Sequence, residues 1–191
     1  MASDVDNIFS GLGYGYCPCA AAEEFETRTV TLSFKRTEII DDLKQNSYVA
    51  GDVMRAEDEH QKHQVFDIAE DGNVDRVTRV MNLVMAEVRE LLYPYTKEAV
   101  EDGESRVNDL VAVEQYDIEM TVPETFSKTT LTLLEQLIHE LVIDRIMSDW
   151  LSQTYPEAAK VWEAKAENNL KKIQETKNKR MRRGRRRMNP F

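Results

Sequence analysis

Apolar positions along the chain fall into two periods, and the longer one is the more regular. From Val74 to Tyr93 they recur every three or four residues, at Val74, Val77, Met81, Val84, Val88 and Leu91, which places them on one face of a helix. Asp75, Arg76, Arg79, Glu87, Arg89 and Glu90 fill the opposite side. Tyr93-Pro94-Tyr95 stops it, since the residue before a proline is pushed out of helical geometry. Leu131, Leu134, Ile138, Leu141 and Val142 repeat the spacing in a second helix that Ser127 can cap and that ends near Leu151. These two helices are expected to pack on each other, antiparallel or crossed, as the main core layer. Tyr155-Pro156-Glu157 then breaks the chain and starts a third helix, because proline is tolerated in a first helical turn. That helix runs from about Glu157 to Lys179. Its large apolar side chains are Val161, Trp162, Leu170 and Ile173, too few to be wrapped in a core, so the pattern predicts a helix that projects or rests on a partner.

The second period is two. Thr29 to Phe34 sets Val30, Leu32 and Phe34 on one face and Thr29, Thr31 and Ser33 on the other, a half-buried strand. Leu110 to Val122 is also extended, but its apolar face slips by one residue between Val113 and Tyr116, which predicts a bulge or tight turn near Glu114-Gln115. Between the strands, Thr37 can cap a short helix from Glu38 to about Lys44, and Gly51 leaves Tyr48 to Met54 ambiguous. Asp71-Gly72-Asn73 reads as a turn delivering an N-cap. The order of strand, helices, strands and helices gives an α+β fold dominated by helix, with long helices against a small two- or three-stranded antiparallel sheet. Residues 1–26 read as a flexible arm, 27–179 as a single domain with a projecting C-terminal helix, and 180–191 as a basic tail.

Charge sharpens this division. The 191 residues carry 25 Lys or Arg and 35 Asp or Glu; ten of the bases and one acid lie in 171–191, so the tail holds +9 and the rest, with fifteen bases and thirty-four acids, −19. Such asymmetry suits an arm that reaches for an acidic partner, whether nucleic acid, a neighbouring protein or another copy of the chain. No apolar run approaches the roughly 20 residues that span a bilayer, and the chain is expected to be made and kept in cytosol.

The candidate chemistry is sparse. Cys17-Pro18-Cys19 is too close for a relaxed disulfide and too small a set for a closed zinc site, so the pair reads as free thiols in a loop. Gly11, Gly13 and Gly15 lack the preceding strand and the following Lys-Ser or Lys-Thr of a phosphate-binding loop. Phe9, Tyr14 and Tyr16 suit contacts that order against a partner. A helix over Ala56 to Ala69 would align Glu59, His60, His63 and Asp67 on one side, yet the His-x-x-His spacing and missing further ligands predict no tight transition metal. Asp67, Asp71, Gly72 and Asp75 fail as a calcium loop because the third and twelfth positions are Ala69 and Thr78. His139 lies in the apolar helix, where a hydrogen-bonded core histidine is expected. No cofactor and no enzymatic constellation is predicted.

One resemblance draws these pieces together. Val122-Pro123-Glu124 leading into Leu131 to Trp150, then Tyr155-Pro156-Glu157-Ala158-Ala159, then Arg185-Arg186-Arg187-Met188-Asn189-Pro190-Phe191 resemble the small neck proteins of tailed bacteriophages, closest to the head-to-tail connector, or adaptor. The likeness is best over 110–191; the strand Thr29 to Phe34 and the glycine-rich arm depart from it. It implies a virion structural protein present in host cytoplasm during assembly, a homo-oligomeric and dodecameric ring, and portal and tail or neck proteins as partners. It also implies non-specific contact with packaged DNA and no membrane. An acidic body is compatible with a lumen that must not grip passing DNA. Candidate partner-binding residues are Arg180, Arg182, Arg183, Arg185, Arg186, Arg187, Phe191, Tyr14, Tyr16 and Trp162. Another neck or tail-completion role, or a nucleic-acid-binding accessory protein using the Arg-rich tail, are the alternatives.

Overall fold

A computed structural model describes residues 26–54, 59–93, 95–99, 103 and 109–179. Tyr14, Tyr16, Cys17, Cys19, Phe191 and the arginines from Arg180 to Arg187 lie outside them, as does most of the charged connection from Glu98 to Asn108. The elements are β1 (Thr27–Lys35), α1 (Arg36–Asp52), α2 (Glu59–Phe66) running into a 3-10 turn (Asp67–Ala69), α3 (Val74–Leu91), β2 (Gln115–Pro123), α4 (Lys128–Thr154) and α5 (Pro156–Lys177). The fold is α+β and helix-dominated, with one antiparallel sheet of two strands among the described residues.

The strands pair without interruption from Thr27 opposite Pro123 to Lys35 opposite Gln115. Leu32, Phe34, Tyr116, Ile118, Met120 and Val122 bury on one face, as period two requires. No bulge interrupts the ladder. The slip in the pattern marks the start of β2, because Val111 and Val113 precede the strand and are exposed.

The 27-residue α4 is the axis of the molecule. Leu141, Val142, Ile143, Asp144, Ile146 and Met147 are all buried on it, as expected of a helix surrounded by other elements. It is contacted by α1, α2 and α3, and most extensively by α5. The α3 face forms as the spacing requires, with Val77, Met81, Val84 and Val88 buried. Arg76 ties α3 to α4 by donating from Nη2 to Asp149 Oδ2 at 2.7 Å and to Asp149 O at 3.0 Å. The Arg76 guanidinium also lies 5.5 Å from the centre of the Trp150 ring, whose Nε1 donates to Val65 O on α2.

Three further sequence expectations change. First, α5 does not project: it lies back along α4, burying Ala159, Ala166, Ile173 and Thr176. The seven-residue spacing of Ala159, Ala166 and Ile173 is a coiled-coil period, and two of its members are small enough to let backbones approach. Tyr95 Oη donates to Lys177 O at 3.2 Å, and Lys177 Nζ donates to Leu91 O, which fastens the far end. The principal partner of α4 is therefore α5, with α3 second. Second, α1 is a 17-residue helix that contains Gly51, and it starts without a side-chain cap from Thr37. A Cβ at Gly51 would stand 2.5 Å from Phe66 Cε1, so the glycine admits the aromatic ring that stacks on Tyr48 at 5.2 Å. Third, Asn73 occupies the α3 N-cap position but makes no side-chain cap; its amide donates instead to Asp67 O at 2.8 Å.

Candidate assembly interface

Among the described residues, the outer edge of β2 is bonded at two backbone groups and the outer edge of β1 at none. In an antiparallel pair, residues alternate between those that exchange hydrogen bonds with the partner strand and those whose N–H and C=O face away. Glu124 N donates to Glu26 O at 2.9 Å and Arg36 N to Glu114 O at 3.0 Å, at the two ends of the ladder. With the observed register, even-numbered residues of β1 bond to β2, and Thr27, Thr29, Thr31 and Ser33 turn their backbone groups outward. The same alternation on β2 turns Asp117, Glu119 and Thr121 outward. Asp117 O accepts from Arg89 Nη2 at 2.9 Å and Thr121 N donates to Tyr95 O at 2.8 Å, while Glu119 has no backbone partner on that side among the described residues. The end of α3 and the turn after it thus reach the outer side of β2 at Asp117 and Thr121. The outward groups of Thr29, Thr31 and Ser33 have no hydrogen-bond partner among the described residues.

The solvent face beside this edge is polar. Ser33 Oγ donates to Asp117 Oδ1 at 2.7 Å and Gln115 Nε2 donates to the same oxygen at 2.8 Å. The Ser33 bond, then the Gln115 bond, hold the Asp117 carboxyl below the usual range. At the end of the sheet, the irregular stretch before β2 is apolar and exposed, at 43% for Leu110, 56% for Val111 and 39% for Val113. It is anchored to α3 by Asn82 Nδ2, which donates to Val111 O at 3.1 Å. Asn82 Oδ1 in turn accepts from Tyr116 Oη at 2.5 Å. Burial raises the Tyr116 phenol, with Arg36 acting against it.

Other candidate residues are brought into separate places. Trp162 is partly buried on α5, with Lys165 Nζ 3.9 Å above its ring, an arrangement that stabilises both groups. It is the one sequence-predicted partner-binding residue within the described residues. His60 and His63 belong to α2 and Asp67 to the following turn. His63 is exposed and sits edge-on to Phe66 at 6.5 Å. Among the described residues no group of three or more His, Cys, Asp or Glu is placed to hold a metal ion. His139 on α4 is hydrogen-bonded, with Nε2 2.8 Å from Asp42 Oδ2 on α1, but it is only partly buried and does not lie in the core as expected. A groove of about 720 Å³ between α3, α4 and α5 is walled by Leu91, Leu141 and Leu170 and lined by no histidine, serine or cysteine. No helix among those described is long and apolar enough to cross a membrane.

Two features of the interface region and its support escape a reading by periodicity. An open edge is a property of pairing, so the alternation of Thr29 to Phe34 reveals a strand but not which side stays unpaired. Asp144 is an acid within the run Val142-Ile143-Asp144-Arg145-Ile146, and that interruption of an apolar stretch is the signal that could have found it. It is buried at the seam of α4 and α5, accepting from Asn169 Nδ2 at 2.8 Å. Desolvation raises its carboxyl to about 6, against the lowering effects of Asn169 and Lys165. Compared with known proteins, the chain matches no family model, no curated protein and no solved structure.

Proposed function

We propose that the chain is a virion structural protein that works by self-assembly, a head-to-tail connector or adaptor that forms a ring between portal and tail. The observation that carries the self-assembly is the asymmetry of the sheet: α3 and its following turn bond to the outer side of β2 at Asp117 and Thr121, while the outward backbone groups of Thr29, Thr31 and Ser33 on β1 have no partner among the described residues. An open edge of this kind is a template for another chain. The position between portal and tail rests on the resemblance carried by Val122-Pro123-Glu124, the helix after it and the Arg-rich run. In this reading the sheet edge and the outer helix faces make lateral contacts. The +9 segment engages acidic surfaces on a portal, tail or neighbouring subunit, where guanidinium groups bind carboxylates in pairs.

Deleting residues 180–191 separates this reading from nucleic-acid binding. The deletion removes no residue of the described core, so circular dichroism and thermal melting of the body should match those of the full chain. Particle assembly should stop, or heads should fail to join tails. Intact assembly together with lost DNA binding, the dependence of binding on salt falling by several phosphate contacts, would replace the connector with a nucleic-acid-binding accessory protein.

A further inference from the structure

We propose that the open edge of β1 is filled by the Leu110–Val113 segment of a second copy, so that copies join head to tail. The inference rests on the self-assembly reading and deepens it by naming both surfaces. On one side stand the outward N–H and C=O groups of Thr29, Thr31 and Ser33. On the other stands a four-residue stretch, Leu-Val-Ala-Val, with three exposed apolar side chains and no place in a strand. Leucine apart, its branched residues favour strands, and pairing would bury them while satisfying an edge that has no partner among the described residues.

Within one copy the two surfaces cannot meet. Leu110–Val113 leads through Glu114 into β2 and is held by Asn82 of α3, the helix whose Arg89 bonds to the outer side of β2 at Asp117. The free edge is on the far side of β1. Joining two different surfaces makes a heterologous contact, which closes into a ring or continues as a filament. Edge-to-edge pairing of two β1 strands would instead give a closed pair, and it leaves the apolar segment exposed. The Thr-rich edge supplies main-chain bonds and little apolar area; the segment supplies the apolar area.

The test uses the full chain with Cys17 and Cys19 replaced by serine. Thr31→Cys and Ala112→Cys are introduced in separate preparations, since both positions are exposed. When the two are mixed, a short bismaleimide should link Thr31→Cys to Ala112→Cys, and neither preparation alone should link to itself. Thr31→Pro removes only an outward N–H and spares the β1–β2 ladder; it should reduce the mass measured by light scattering to that of one copy. Val111→Asp with Val113→Asp, at exposed positions outside the core, should do the same with unchanged melting, and stands in if the proline variant misfolds. Links of Thr31→Cys to itself, assembly that survives both variants, or a parent protein that remains a single copy would each overturn the proposal. The last outcome, with the Thr29, Thr31 and Ser33 amides protected from exchange, would mean that the chain's own residues before Glu26 fill the edge. The expected heterotypic link in a protein absent from virions would retain this contact and remove the connector reading; homotypic links in particles whose heads join tails would do the reverse.

Discussion

Val84→Asp is expected to destabilise the protein by about 4 kcal/mol or more, because it places a carboxylate where 4% of the side chain now meets water. Val84 lies in the middle of the buried face of α3, between Met81 and Val88 and beside Met85. No described basic side chain is buried in that face to pair with the new charge. The protein would avoid the charge by protonating the group or by opening α3, and both routes weaken the native state. Leu83→Asp, one residue earlier at 59% exposure, should change melting of the isolated copy by only a few tenths of a kcal/mol. The measurement is thermal or urea unfolding of both variants; equal midpoints for Val84→Asp and the parent would remove the core assigned to α3.

Asp144→Asn carries the second large effect, and its sign is opposite. Burial lifts the Asp144 carboxyl to about 6 from an ordinary 3.8, so between those values the native state holds a proton that the unfolded state releases. The native state binds more protons, and stability therefore falls as pH rises from about 4 to 6 and stays level above. The ionised group costs the fold roughly 2 to 3 kcal/mol at neutral pH by this linkage. Asparagine keeps the size and still accepts from Asn169 through its side-chain oxygen, while the charge is gone. The variant should be about 1 to 2 kcal/mol more stable than the parent at pH 7.5 and show a flatter stability profile between pH 4 and 6. An unchanged midpoint at pH 7.5, with an unchanged acid profile, would show that Asp144 is solvated in the native protein.

Much of the helix layout was legible because amphipathic spacing is local. Val74 to Leu91 and Leu131 to Val142 announce their buried faces through side chains three and four positions apart. The place of α5 was not legible by the same means, because Ala159 and Ala166 bury little area individually and matter through the close approach they permit to α4. Gly51 lowers helix propensity on its own, and only Phe66, fifteen residues along the chain, explains its place in α1. The apolar slip after Val113 resembles a bulge until pairing shows that β2 begins at Gln115. Of the candidate site, the strand face could be read from Thr29 to Phe34, but its open edge depends on where Arg89 and Tyr95 lie. Those contacts join positions far apart in sequence, and no periodicity encodes them.

The most direct test of head-to-tail assembly is electron microscopy of the purified full-length protein at concentrations where light scattering reports its mass. Closed rings, in which each copy contacts two neighbours through different surfaces, are the predicted result. A uniform field of single copies, or of closed pairs related by a two-fold axis, would contradict it.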